Sequence, residues 1–207
     1  MKIERGAIIA KALDLLDCVG LEGLTMRKLA DALQIRAPSL YWHFANKDAL
    51  LEGMADALME PVGRDVSEIE PWENRFSALA NGIREALVSR RDASQVYAGT
   101  YPLSDNVLRV GSLLIQCLLD AGLEERDATW GAFSLLYYVI GFAIEEQGLP
   151  VGLDQMSQAP RGEQGSILKR YPLGAVAMRE ITRENADLRF ARGLEQQIAG
   201  LKSQLQG

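Results

Sequence analysis

An all-α protein is predicted by three features of this sequence. Apolar residues recur at three- and four-residue spacing along most of the chain, while no sustained alternation marks a strand. Helix punctuation recurs too, with Thr25 and Asn46 as caps and Gly20 and Pro61 as stops. The 207 residues are 48% hydrophobic, ample for a buried core. The segment PVGRDVSEIEP between Pro61 and Pro71 is the best linker candidate, so the chain divides at 1–60 and 61–207.

Residues 5–19 form the first predicted helix. Ile8, Ile9, Ala12, Leu13, Leu16 and Val19 make its apolar stripe, and Lys11, Asp14 and Asp17 its wet face. Gly20 ends it. Thr25 then caps a short helix carrying Leu29, Ala30 and Leu33 on one face. Gln34-Ile35 is the break. A turn between two helices usually takes Gly at a positive φ, so Gln34 is a departure costing roughly 1 kcal/mol of strain. Pro38 is tolerated in the first turn of the next helix because its missing N–H would be unpaired there. Leu40 and Phe44, four apart, share the face that packs on the preceding helix. Asn46 caps a fourth helix, 47–60, striped by Leu50, Leu51, Met54, Leu58 and Met59.

That register turns Arg36, Ser39, Tyr41 and His43 outward from the second helix of the pair. An arginine suits a guanine edge, and the aromatics can lie against sugars or thymine methyls. Arg27 and Lys28 face water or phosphate, and Lys47 sits beside free amides at a helix start, where both can hold a phosphate. Double-stranded DNA is therefore the expected partner. The net charge of −6 does not announce it, but residues 24–47 carry four cations against one carboxylate. The alternative is a helical protein-interaction adaptor whose Tyr41-Trp42-His43 helix grips a protein groove. Salt separates the two, since phosphate contacts make DNA affinity fall steeply with ionic strength.

The second part reads as helices near 72–89, 105–121, 125–147 and 186–204. The third of these is apolar around much of its circumference, with Gly131 and Gly141 permitting close approach. The last carries Phe190, Leu194, Ile198, Leu201 and Leu205 on a chain end that should otherwise fray. Two stripes without evident cover predict a homodimer. Between them, 148–172 is rich in Gly, Pro and Gln and reads as a flexible flap, with Ile167–Leu168 and Leu173–Met178 adding a short helix.

Other classes find little support. Cys18 and Cys117 sit in helical patterns and read as buried small hydrophobes, without metal or disulfide spacing. The single histidine, His43, lies in the outward helix, so no Ser-His-acid or Cys-His set is available elsewhere. Glu145 and Glu146 are neighbours on a helix and point about 100° apart, a poor carboxylate pair. No enzyme, no catalytic residue, no metal site and no cofactor is expected. The N-terminal MKIERGAII lacks a long apolar run, and no run approaches 18 apolar residues. A cytoplasmic protein with no membrane span is the expectation.

The stretch LTMRKLADALQIRAPSLYWHFANKDALL resembles the DNA-binding segment of the TetR family of bacterial repressors. The resemblance implies a three-helix DNA-binding domain over 1–60 and a larger ligand-binding and dimerisation domain over 61–207. It implies DNA-facing roles for Arg27, Arg36, Ala37, Pro38, Ser39, Tyr41, Trp42, His43 and Lys47. It also implies a four-helix dimer bundle from the two apolar helices. VYAGTYP at 96–102 and IEEQ at 144–147 resemble the stretches with which drug-sensing members hold a tetracycline as a magnesium chelate. There a metal-ligating His position matches Tyr97, an Arg position Tyr101, polar contacts Leu79 and Leu113, and an aromatic Ile83, while Thr100 and Glu145 are kept. Tyr and Leu cannot replace an imidazole on magnesium or an amide donor, so that chelate is not expected. The implied pocket of Leu79, Ile83, Tyr97, Leu113, Phe133 and Tyr137 predicts a small apolar or aromatic effector with one polar group facing Glu145.

Overall fold

The computed structural model describes residues 3–100, 103–158, 161–181 and 185–205, and side chains outside 150–165. All regular structure among them is helical. Four helices come first: α1 (Arg5–Gly23), α2 (Met26–Ala32), α3 (Ala37–Tyr41) and α4 (Lys47–Leu58). Then follow α5 (Trp72–Val88), α6 (Ala93–Ala98), α7 (Asp105–Asp120), α8 (Glu125–Gln158), α9 (Arg161–Arg170), α10 (Pro172–Ile181) and α11 (Ala186–Gln204).

Two cores form. In the first, Ile8, Ala12 and Leu16 of α1 meet Leu29, Leu40, Phe44, Leu50 and Met54. Leu40 and Phe44 are 0% and 1% exposed, as their four-residue spacing requires. In the second, α5, α7, α8 and α11 contribute, among others, Phe76, Ile83, Leu114, Leu135 and Phe190. The cores share α4: its Leu50 and Met54 belong to the first, its Leu58 to the second. Val62, in the expected linker, is also buried in the second core.

Several expectations are corrected. Helix α6 has no counterpart in the sequence reading because six residues are too few to show a period. It joins the cores, with Ala93 in the second and Val96 in the first. The flexible flap expected at 148–172 is helical instead: α8 runs on to Gln158, and α9 and α10 follow. One Pro and a few Gly weaken a helix without forbidding it. Helix α10 opens on Pro172, where a missing N–H costs nothing. Cys18 is exposed, because it falls on the wet side of α1 with Asp14 and Asp17. Gly131 has Leu118 and Leu201 close above it, whereas Gly141 faces open space.

Contrary to expectation, residues Glu125–Leu149 of α8 are long and apolar enough, by length and composition, to cross a membrane. Ala128, Ala132, Leu135, Val139 and Ala143 are buried in the second core. On the other side Trp130, Phe133 and Tyr137 are 63%, 48% and 69% exposed, at the spacing of one helix face.

Candidate nucleic-acid interface and ligand site

The outward helix pair is built by local chemistry. Thr25 Oγ1 accepts a 3.2 Å bond from the Lys28 amide and caps α2. The chain reverses at Gln34, held in the left-handed region at φ 55°. Arg36 is the N-cap residue of α3 and has no capping side-chain bond. Arg27, Arg36, Pro38 and Ser39 are exposed, Tyr41 is 52% and Trp42 is 89% exposed, and Ala37 and His43 are half-buried. Asn46 Oδ1 accepts from the Ala49 amide at 2.8 Å and caps α4. Lys47, expected to face phosphate, donates from Nζ to the Leu21 carbonyl at 3.0 Å. One of its three N–H groups therefore ties α4 to the end of α1.

This unit is fastened to the rest of the chain by polar contacts that no sequence period announces. Gly20 breaks α1 at φ 70°, and a Cβ there would stand 2.9 Å from Asp92 Oδ2. That same oxygen accepts from the Leu21 amide at 2.8 Å. Arg90 reaches Asp17 at 2.6 Å and Asp14 at 3.2 Å. Hydrogen bonds to Asp17, with a smaller opposing effect of partial burial, raise its already high pKa. Gln147 of α8 holds the same turn, donating from Nε2 to the Arg90 carbonyl at 2.6 Å and accepting from the Ser94 amide at 3.2 Å. On α4, Asp56 accepts from the Asn106 and Val107 amides that open α7, at 2.8 and 3.3 Å. Arg109 of α7 donates in return to the Val62, Met59 and Glu60 carbonyls at 2.7–2.9 Å, closing the end of α4.

Of the expected ligand residues, Leu79, Ile83, Leu113 and Tyr97 belong to or pack on the second core, whereas Phe133 and Tyr137 are exposed. Leu79 and Ile83 are buried core side chains of α5. Leu79 and Leu113 close over the backbone of Gly63. Tyr97 is half-buried against the second core, and burial raises its phenol pKa. Thr100 donates to the Tyr97 carbonyl at 3.0 Å. Tyr101 lies outside the described residues. Phe133 and Tyr137 pair with each other, 6.0 Å apart, on the exposed face of α8, whereas Leu79 and Ile83 are buried. A helix that is apolar on both sides does not disclose which side its aromatics take. Glu145 is half exposed and faces Arg189 of α11 at 3.8 Å. Its neighbour Glu146 pairs with Arg84, whose guanidinium also meets Asp187 and lies over the Phe142 and Phe190 rings. Among the described residues, no three His, Cys, Asp or Glu side chains converge as metal ligands would. Crevices are present among the described residues. One of about 510 Å³ lies between α8 and α11, and one of about 420 Å³ between α1, α4 and α5.

A capped helix, a left-handed turn and a second helix with bare polar and aromatic side chains, set on a larger helical body, define a helix-turn-helix regulator. Residues 8–54 match the family described as bacterial regulatory proteins, tetR family, and residues 67–205 match the tetracyclin repressor-like C-terminal domain. The chain belongs to the TetR family of DNA-binding transcriptional regulators. It is 33% identical over 206 residues to the class C tetracycline repressor of Escherichia coli, covering 97% of this chain and 91% of that protein. A possible TetR family regulator from Streptomyces coelicolor A3(2) superposes with a TM-score of 0.85 at 30% identity, covering 97% of this chain and 99% of that one. Streptomyces coelicolor ActR in complex with actinorhodin superposes at 0.81 with 28% identity, over 99% of each chain.

Proposed function

We propose that this chain is a cytoplasmic, ligand-responsive repressor that binds a palindromic operator as a homodimer and is released by a small apolar or aromatic effector. The carrying observation is the outward face of α3, where Arg36, Tyr41 and Trp42 stand free of the core. Dimerisation is supported by Trp130, Phe133 and Tyr137 exposed on α8 and Leu188 on α11, beside the 510 Å³ crevice. Two copies joined there would present two α3 helices to successive major grooves, about 34 Å apart. An aromatic effector is supported by the apolar surroundings of Leu79, Ile83 and Leu113 and by the actinorhodin complex of ActR. A magnesium–tetracycline chelate is not supported. By resemblance Tyr97 matches the metal-binding imidazole position, and a neutral phenol does not replace an imidazole on magnesium; burial raises its pKa further.

Selection from a random duplex pool at physiological salt tests this reading. An enriched inverted repeat is the expected result. Arg36→Ala should then cost about 1–3 kcal/mol and relax one base position. No enrichment by ligand-stripped protein would overturn the reading and return the adaptor alternative.

A further inference from the structure

We propose that Asp92 is a positioning residue for DNA binding: through the backbone of Leu21 it holds Lys47, at the start of α4, where a phosphate meets it. This rests on the operator binding proposed above. Helix α1 is broken at Gly20, whose φ of 70° and ψ of 175° lie outside the helical region. The residue after the break is held from two sides. Its amide donates to Asp92 Oδ2 at 2.8 Å, and its carbonyl accepts from Lys47 Nζ at 3.0 Å. One residue of α1 thus joins a carboxylate of the larger helical body to a cation of the DNA-reading unit.

The conformation of Asp92 is an independent observation. It stands at φ 55°, in the left-handed region that residues other than glycine rarely adopt. It is the N-cap residue of α6, yet its side chain makes no capping bond there. Glycine would hold this turn with less strain, so what the carboxylate adds is the bond to α1. The turn itself is fixed from behind. Gln147 of α8 donates to the Arg90 carbonyl at 2.6 Å and accepts from the Ser94 amide at 3.2 Å, on either side of Asp92. Ala93, next in the chain, is buried in the second core. Lysine carries its ammonium on a flexible stem, so a bond from one N–H narrows where the charge stands. Two N–H groups of Lys47 are left for a phosphate.

The test uses the full chain and the duplex selected by the wild type, with affinity measured over a series of salt concentrations. Asp92→Gly removes the carboxylate on a backbone where glycine is at ease, and Asp92→Asn keeps an oxygen acceptor in a residue that tolerates this conformation. Asp92→Gly should weaken all duplexes alike, by about fivefold or more, and lower the salt slope by about 1. Asp92→Asn should restore both. In a Lys47→Ala background, Asp92→Gly should cost less than about twofold more, because the group it positions is gone. A merely structural role would weaken both backgrounds equally and leave the slope alone. That result, or failure of Asp92→Asn to restore binding, would overturn the proposal. Hydrogen exchange without DNA reads the tether directly: Leu21 should lose protection in Asp92→Gly and keep it in Asp92→Asn, and unchanged protection in Asp92→Gly would also overturn it. A wild type that selects no duplex would sink the function proposed above, while the exchange result still decides the bond from Asp92 to Leu21, so the two failures are distinct.

Discussion

Asp56 acts as the N-cap of a helix to which it does not belong. Ser104, in the capping position of α7, makes no capping bond. The carboxylate of Asp56 on α4 takes its place, accepting from the Asn106 and Val107 amides and, at 3.0 Å, from Asn106 Nδ2. Replacing a cap by alanine costs about 0.5–2 kcal/mol, and a carboxylate at a helix N-terminus adds about 0.3–1 kcal/mol. Asp56→Ala should therefore lower unfolding stability by about 2 kcal/mol. Asp56→Asn keeps an acceptor and loses the charge, for about 1 kcal/mol. Burial works to raise the Asp56 pKa, but the Ser104 hydroxyl beside it, together with its hydrogen bonds to Asn106 and Val107, outweighs that and holds it below the ordinary value. A group with a depressed folded pKa stabilises above its unfolded pKa and loses that contribution as pH falls through the folded value. The gap between wild type and Asp56→Ala should be full at pH 7 and shrink below about pH 4. Urea unfolding at a series of pH values measures this. A loss under about 0.5 kcal/mol at pH 7, or a gap that widens on acidification, would refute the assignment.

Three more outcomes are expected. Gln34→Gly should raise stability by up to about 1 kcal/mol, since it releases a side chain held at φ 55°; a fall in the urea midpoint would contradict strain there. Lys47→Ala should weaken all operators alike and reduce the salt slope by about 1, besides losing its bond to Leu21; a loss confined to one sequence would exclude a phosphate role. Of the two thiols, Cys18 should react with a disulfide reagent in the native protein. Cys117, buried and with its thiol pushed up to about 11, should react only on unfolding; two fast thiols would refute its burial.

The helices of the DNA-reading unit were legible because their signals are local. A cap and the amide it accepts lie three residues apart, as with Thr25 and Lys28 or Asn46 and Ala49. Leu40 and Phe44 are four apart, and the Phe44 amide donates to the Leu40 carbonyl at 2.9 Å in the turn that closes α3, so both face the core while Arg36 and Tyr41 stay exposed. Even the strained turn at Gln34 could be expected, because a short connection between two helices leaves few backbone solutions. By itself, then, the sequence determined the all-α class, the ends of several helices and which side chains of the helix pair are exposed. Tertiary structure alone decided how the reader is held. Arg90 and Asp14 are separated by 76 residues and Asp56 and Asn106 by 50, and no spacing along the chain joins such partners. It also decided which side of α8 is buried, sending Phe133 and Tyr137 outward and Glu145 to Arg189. Periodicity reports that a helix has an apolar stripe. Which neighbour covers that stripe depends on how whole helices pack, and that is a property of the assembled core.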